Sequence, residues 1–189
     1  MIALLCIFLL QNTSKGTSSE EGEAAEKQSE AESIAFVAQF IDADNRAVEV
    51  EEGKEITSTS LEFIDNNIEV FINHDKEVSE ELVDTSIDYR HLGKDIDKHS
   101  GTMYQDQGVI LDIQEVNSEG LNKEITIIHL QNPQNQTNYH LLYIGETDLL
   151  EDDAIQFIGL PLMNTSFSNV SGGTTKLFMI LASDLEKIE

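Results

Sequence analysis

Basic residues are scarce in this chain. Lys and Arg together number 11 against 36 Asp and Glu, which leaves a formal net charge of −25 over 189 residues. Such a surface repels phosphate backbones and has few cations with which to release counterions, so the electrostatic source of nucleic-acid affinity is missing. Cysteine occurs once, as Cys6, which excludes an intrachain disulfide framework. Catalytic signatures are missing too: there is no GxxxxGK[ST], GxGxxG, HExxH or EF-hand loop, and no Ser/His/Asp or Cys/His constellation. The longest uncharged apolar run, residues 1–10 (MIALLCIFLL), is half the roughly 20 residues that a membrane-spanning helix needs.

That run matches the apolar core of a signal peptide, although the basic segment that normally precedes such a core is not there. It is read as an export signal or anchor remnant whose start lies upstream. Cys6 is followed by Ile7, Phe8, Leu9 and Leu10 rather than by polar residues, which argues for an ordinary apolar residue over a lipidated one. Residues 11–33 are Ser, Thr, Asn, Gly, Glu, Gln and Lys with Ala as the only apolar type, a composition that cannot bury enough surface to offset chain entropy. The expectation is an acidic disordered tether.

From 34 to 99 the pattern is mixed. Residues 46–57 (RAVEVEEGKEIT) alternate around Gly53 and read as a hairpin. Next, Leu61, Ile64, Ile68 and Phe71 recur at helical spacing behind a Ser58 or Ser60 cap. A further helix is expected to start at Ser79 with Val83 and Ile87 on one face, continuing through Leu92 and Ile96 to a stop at Gly101.

Residues 100–189 read as strands throughout: 102–116 with Gly108 inside, 123–130 and 138–145 around a polar loop, 149–161, and 174–185. A glycine inside a long first strand is where a small barrel bends to serve both of its sheets. Five short strands with a kinked first one predict an α+β protein: a five-stranded Greek-key barrel of the oligomer-binding (OB) type over about 100–185, with N-terminal helices and a hairpin packed on it. An open sandwich is the rival.

Several side chains are candidates for chemistry. His91 and His99, eight residues apart, would sit ~80° apart on one helix, too far for joint ligation. The acidic clusters at 65–69 (DNNIE) and 151–153 (EDD) have no partner constellation, as expected of chance in so acidic a chain. If the loop at 132–137 closes its hairpin symmetrically, His129 and His140 face each other across the strands, but no third or fourth metal ligand can be assigned, so no metal centre is expected. The same register sets Tyr139 and Tyr143 on one face with Thr126, Ile128, Leu130 and Leu141. The face formed by the second and third strands is the usual OB ligand platform, which makes Tyr139 and Tyr143 the candidate ligand-binding residues. The competing reading is that this apolar face is covered by the preceding helices.

The segments YRHLGKDIDKHSGTMYQDQGVILDIQE, YIG…LLEDDAIQFIGLP and NVSGGTTKLFMILASDLEKI resemble the OB-fold domains of Gram-positive exported lipoproteins and membrane-anchored proteins, and SLEFIDNNIEVF looks like the helix before the barrel in that group. The clostridial toxin-gene negative regulator, a membrane-anchored protein with an extracytoplasmic OB domain, is distantly similar. The resemblance spans roughly residues 57–189. It implies an extracytoplasmic, membrane-associated or secreted protein and says nothing of activity. Because no catalytic constellation is legible in the residues, the expectation is a monomeric, non-catalytic binding module without cofactor that meets a cell-surface protein or glycan. Two other classes remain open: a single-stranded nucleic-acid or oligosaccharide binder, and a secreted enzyme.

Overall fold

The computed structural model describes residues 56–118, 123–168 and 172–188. The expected leader, tether and hairpin around Gly53 lie outside the described residues.

The helical region is more broken than periodicity suggests. Helix α1 (Ser58–Asn66) is capped by Thr57, whose hydroxyl accepts from Ser60 N at 3.1 Å, so the cap is neither of the expected serines but the residue just before Ser58. Ser60 is instead buried. The expected single helix then ends at Asn67, whose side-chain amide donates to Phe63 O at 2.8 Å. An Asx side chain competes in this way with the helical ladder. The chain resumes as α2 (Ile68–Asn73), which stops where His74 takes a left-handed conformation. Helix α3 (Lys76–Glu81) is capped by Asp75, not Ser79; Ser79 lies buried within the helix, and Val83 forms an isolated parallel bridge to Met103. Helix α4 (Tyr89–Lys94) opens with a reciprocal capping box between Asp88 and His91, and a 3-10 turn (Ile96–His99) follows. Gly101, at φ +81, ends the helical region as the sequence predicts.

The strands are β1 (Tyr104–Ser118), β2 (Lys123–Asn132), β3 (Thr137–Ile144), β4 (Ala154–Ser168) and β5 (Thr174–Lys187). They close into a ring in the order β1-β2-β3-β5-β4, antiparallel everywhere except between β3 and β5. β1 serves two neighbours: residues Tyr104 to Val109 pair with β4, and Val109 to Ser118 pair with β2. The handover follows Gly108, with a register shift between Ile110 and Asp112. A β-carbon on Gly108 would stand 2.6 Å from Gln131 O and 2.8 Å from Leu130 Cγ, so the turning strand is pressed against β2 where only glycine fits. β4 has its own irregularities, one of them at Pro161, a residue that cannot donate to a regular ladder.

Strand alternation divides the apolar side chains between two cores. One draws on all five strands, as the lumen of a closed sheet must: Tyr104 and Ile110, Ile128 and Leu130, Tyr139 and Leu141, Ile155 and Phe157, Ile180 and Ala182. Leu92 of α4 and Ile96 of the 3-10 turn pack into it. The other covers the opposite face of β2 to β5 and receives Ile64 of α1 with Ile68 and Phe71 of α2. The helices therefore pack on the sheet, as their apolar faces require.

Candidate ligand-binding face

The β2–β3 hairpin has the register that symmetric loop closure predicts: Thr126 opposite Tyr143, Ile128 opposite Leu141, His129 opposite His140 and Leu130 opposite Tyr139. The two candidate tyrosines nevertheless have different fates. Tyr139 is completely buried, its ring packed edge-on to Phe157 at 5.0 Å between centroids. It has no free face on which to stack a ligand. The expectation fails for Tyr139 because its side of the hairpin is the lumen, and closing the ring covers it.

The hydroxyl of Tyr139 instead joins a polar cluster at one end of the lumen. Tyr139 and Tyr104 both donate to Asp106 Oδ2, Tyr104 at 2.8 Å, and the two hydroxyls lie 2.9 Å apart. Asp106 Oδ1 accepts from Asn132 Nδ2 at 3.0 Å and from Gln107 N at 2.8 Å. Burial pushes both tyrosine hydroxyls far above their ordinary range, so they remain protonated donors. The cluster ties β1, β2 and β3 together with every bond directed at one carboxylate. Sequence reasoning missed Asp106; its only signal was an acid at an inward-facing position of a strand.

Tyr143 is half-buried, and the His74 ring stacks on it at 4.1 Å with an interplanar angle of 23°. The His74 ring lies between two carbonyl oxygens, with Nδ1 3.0 Å from Ser183 O and Nε2 2.8 Å from Ile144 O, and donates to one of them according to its tautomer. A two-carbonyl clamp thus holds the imidazole that positions the tyrosine. Its left-handed backbone at the end of α2 aims it there, a placement that helical periodicity could not reveal.

The other candidates resolve as follows. His91 and His99 lie on separate elements because the helix breaks at Asp95, and their rings come within 6.0 Å, closer than one continuous helix would allow. His91 Nδ1 is engaged by Asp88 at 2.8 Å as part of the cap. In the first acidic cluster Glu69 accepts from Asn73 at 2.9 Å. In the second, Asp153 caps a turn by accepting from Leu150 N at 3.0 Å and pairs with Lys187 at 2.6 Å. Among the described residues no three His, Cys, Asp or Glu side chains are placed to share a metal ion, and no helix is long and apolar enough to cross a membrane.

His140 is 3% exposed, and burial, assisted by the neighbouring His129, pushes its imidazole down to about 4. The folded value lies below the ordinary 6.5, so the unfolded chain binds the extra proton first. Stability is then full above pH 6.5 and falls as the pH drops toward 4, by about 3 kcal/mol over that interval. His129 shifts in the same direction through burial, opposed by its bond to Asn138 and by Asp112. Replacing His140→Leu should flatten the dependence of the thermal midpoint between pH 7 and 5 relative to wild type. Equal slopes in the two proteins would show that His140 does not carry it.

A search of protein-family models finds no match to this chain, and a search of curated proteins finds none.

Proposed function

We propose that the closed sheet is an OB-type barrel and that the protein is an exported, surface-tethered, monomeric binding module without catalytic activity or cofactor. Its partner is a cell-surface protein or glycan, and its link to the membrane is the N-terminal segment. The strand order carries this reading: β1 is shared between β2 and β4, β3 runs parallel to β5, and β4 closes on β1. The OB barrel is a five-stranded Greek key that binds through its β2–β3 face and the loops after β1 and β4. Of the two candidate tyrosines, Tyr143 is the one that keeps solvent exposure, and its ring is already positioned by His74. A pre-positioned aromatic ring loses little freedom when a neutral sugar stacks on it.

Two binding measurements test the proposal. Weak binding of a neutral oligosaccharide, lost on Tyr143→Ala with the thermal midpoint little changed, is the expected result. Single-stranded oligonucleotides should not be retained at physiological salt. A net charge of −25 repels them, and stacking alone contributes only about 1–3 kcal/mol per base, which corresponds to millimolar affinity at best. Micromolar, salt-sensitive oligonucleotide binding would overturn the assignment in favour of a nucleic-acid module.

A further inference from the structure

The ladder register places chemistry on the opposite face of the sheet from Tyr139. Asp112 pairs with His129, His129 with His140, His140 with Met179, and Met179 with Met163. Paired positions in a sheet share a face, so these residues form one transverse row across β1, β2, β3, β5 and β4 in turn. Burial deepens along it. Asp112 is exposed and His129 is half-buried, while His140, Met179 and Met163 are 3%, 0% and 2% exposed.

Within this row His140 Nε2 is buried with no hydrogen-bond partner. A buried imidazole nitrogen without a partner is costly and calls for a physical reason. The neighbours along the row cannot relieve it, since a thioether is at best a weak acceptor. His129 donates from Nε2 to Asn138 Oδ1, at 3.3 Å, so a cation shared with His140 would take the other ring nitrogen of His129. An imidazole pair flanked by thioethers is, however, a donor set that soft cations favour.

We propose that His129, His140 and Met179, with Met163 next in the row, form a binding site for a soft monovalent cation, copper(I). Zinc is the wrong ion for this set: it takes four nitrogen, thiolate or carboxylate ligands, and the described residues bring no three His, Cys, Asp or Glu side chains together. Copper(I) has a filled d shell, accepts two or three ligands, and tolerates thioether sulfur. A single positive charge also costs less to bury than a double one. The exposed Asp112 carboxylate beside His129 gives the row an acidic mouth from which a cation can reach the buried imidazole.

The experiment is anaerobic titration of the full-length chain with copper(I) in competition with the chromophoric chelator bicinchoninate. It is done in a Cys6→Ser background, because the chain's one thiol would otherwise compete. The expected result is one equivalent of copper withheld from the chelator, with nitrogen and sulfur scatterers at the copper X-ray absorption edge. His140→Leu should weaken binding by about 100-fold. The near-isosteric Met179→Leu, which leaves the core volume intact, should weaken it and remove sulfur from the copper shell, so the test stands even if the histidine variant folds poorly. Failure of the Cys6→Ser protein to compete with bicinchoninate would overturn the proposal. So would binding that survives both His129→Ala and Met179→Leu, which would place the metal elsewhere, for example at the His91–His99 pair.

Discussion

Replacing Gly108 by valine is expected to destabilise the protein by about 3 kcal/mol or more and to lower its thermal midpoint by about 10 °C or more. Two effects combine. The first is steric: any β-carbon at position 108 falls 2.6 Å from Gln131 O and 2.8 Å from Gln131 C, and these are backbone atoms of a paired strand that cannot swing aside. The second is architectural. Gly108 directly precedes the residue at which β1 exchanges its β4 partner for β2, so displacing it strains both ladders where they meet. The same substitution at Gly172, where a β-carbon would meet nothing within 4 Å, tests the backbone conformation without the clash. Gly172→Val should therefore cost less. An unchanged midpoint in Gly108→Val would mean that β1 and β2 do not press together at this point.

The second large effect is expected at Asp106. Its carboxylate receives the hydroxyls of Tyr104 and Tyr139, the Asn132 amide and the Gln107 backbone N–H. Asp106→Ala removes the acceptor common to all four and strands two buried phenols in the lumen. Charge-assisted bonds contribute more than neutral ones, and a buried donor left without a partner costs its full desolvation, so a loss of about 3–5 kcal/mol is expected. Asp106→Asn keeps one carbonyl acceptor and should recover part of that loss. Urea unfolding of wild type, Asp106→Asn and Asp106→Ala measures the series. A midpoint for the alanine variant equal to that of wild type would show that the carboxylate does not organise the cluster. Removing both phenol hydroxyls (Tyr104→Phe with Tyr139→Phe) in the Asp106→Ala background should cost far less than in the wild type, because the donors no longer have an acceptor to lose.

These two sites show how differently local and non-local features are written in a chain. Gly108 was conspicuous because it interrupts a long alternating apolar segment, and a kinked first strand follows from that interruption alone. Asp106 was not, because an acid among 36 acidic residues has no distinguishing pattern. Its importance arises from Tyr139, 33 positions away on another strand. The helical region shows the same division at shorter range. The apolar spacing of Leu61, Ile64, Ile68 and Phe71 predicts one helix, yet the Asn67 side chain bonds back to Phe63 and splits it. Periodicity records which residues face the core but not where a side chain displaces a backbone bond.

By itself the sequence determined the number and order of the strands, the helix stop at Gly101 and the register of the β2–β3 hairpin, with His129 opposite His140. Each of these rests on local information: period-two alternation, turn residues and the length of a single loop. Only the tertiary structure decided which face of that hairpin became the lumen, because β2 and β3 are apolar on both faces and alternation cannot distinguish inside from outside. It also decided the parallel contact of β3 with β5 and the sharing of β1 between β2 and β4, pairings between segments far apart in the chain. Closure of the ring removed Tyr139 from solvent, left Tyr143 at the surface under His74, and aligned two histidines with two methionines from strands that no local pattern connects.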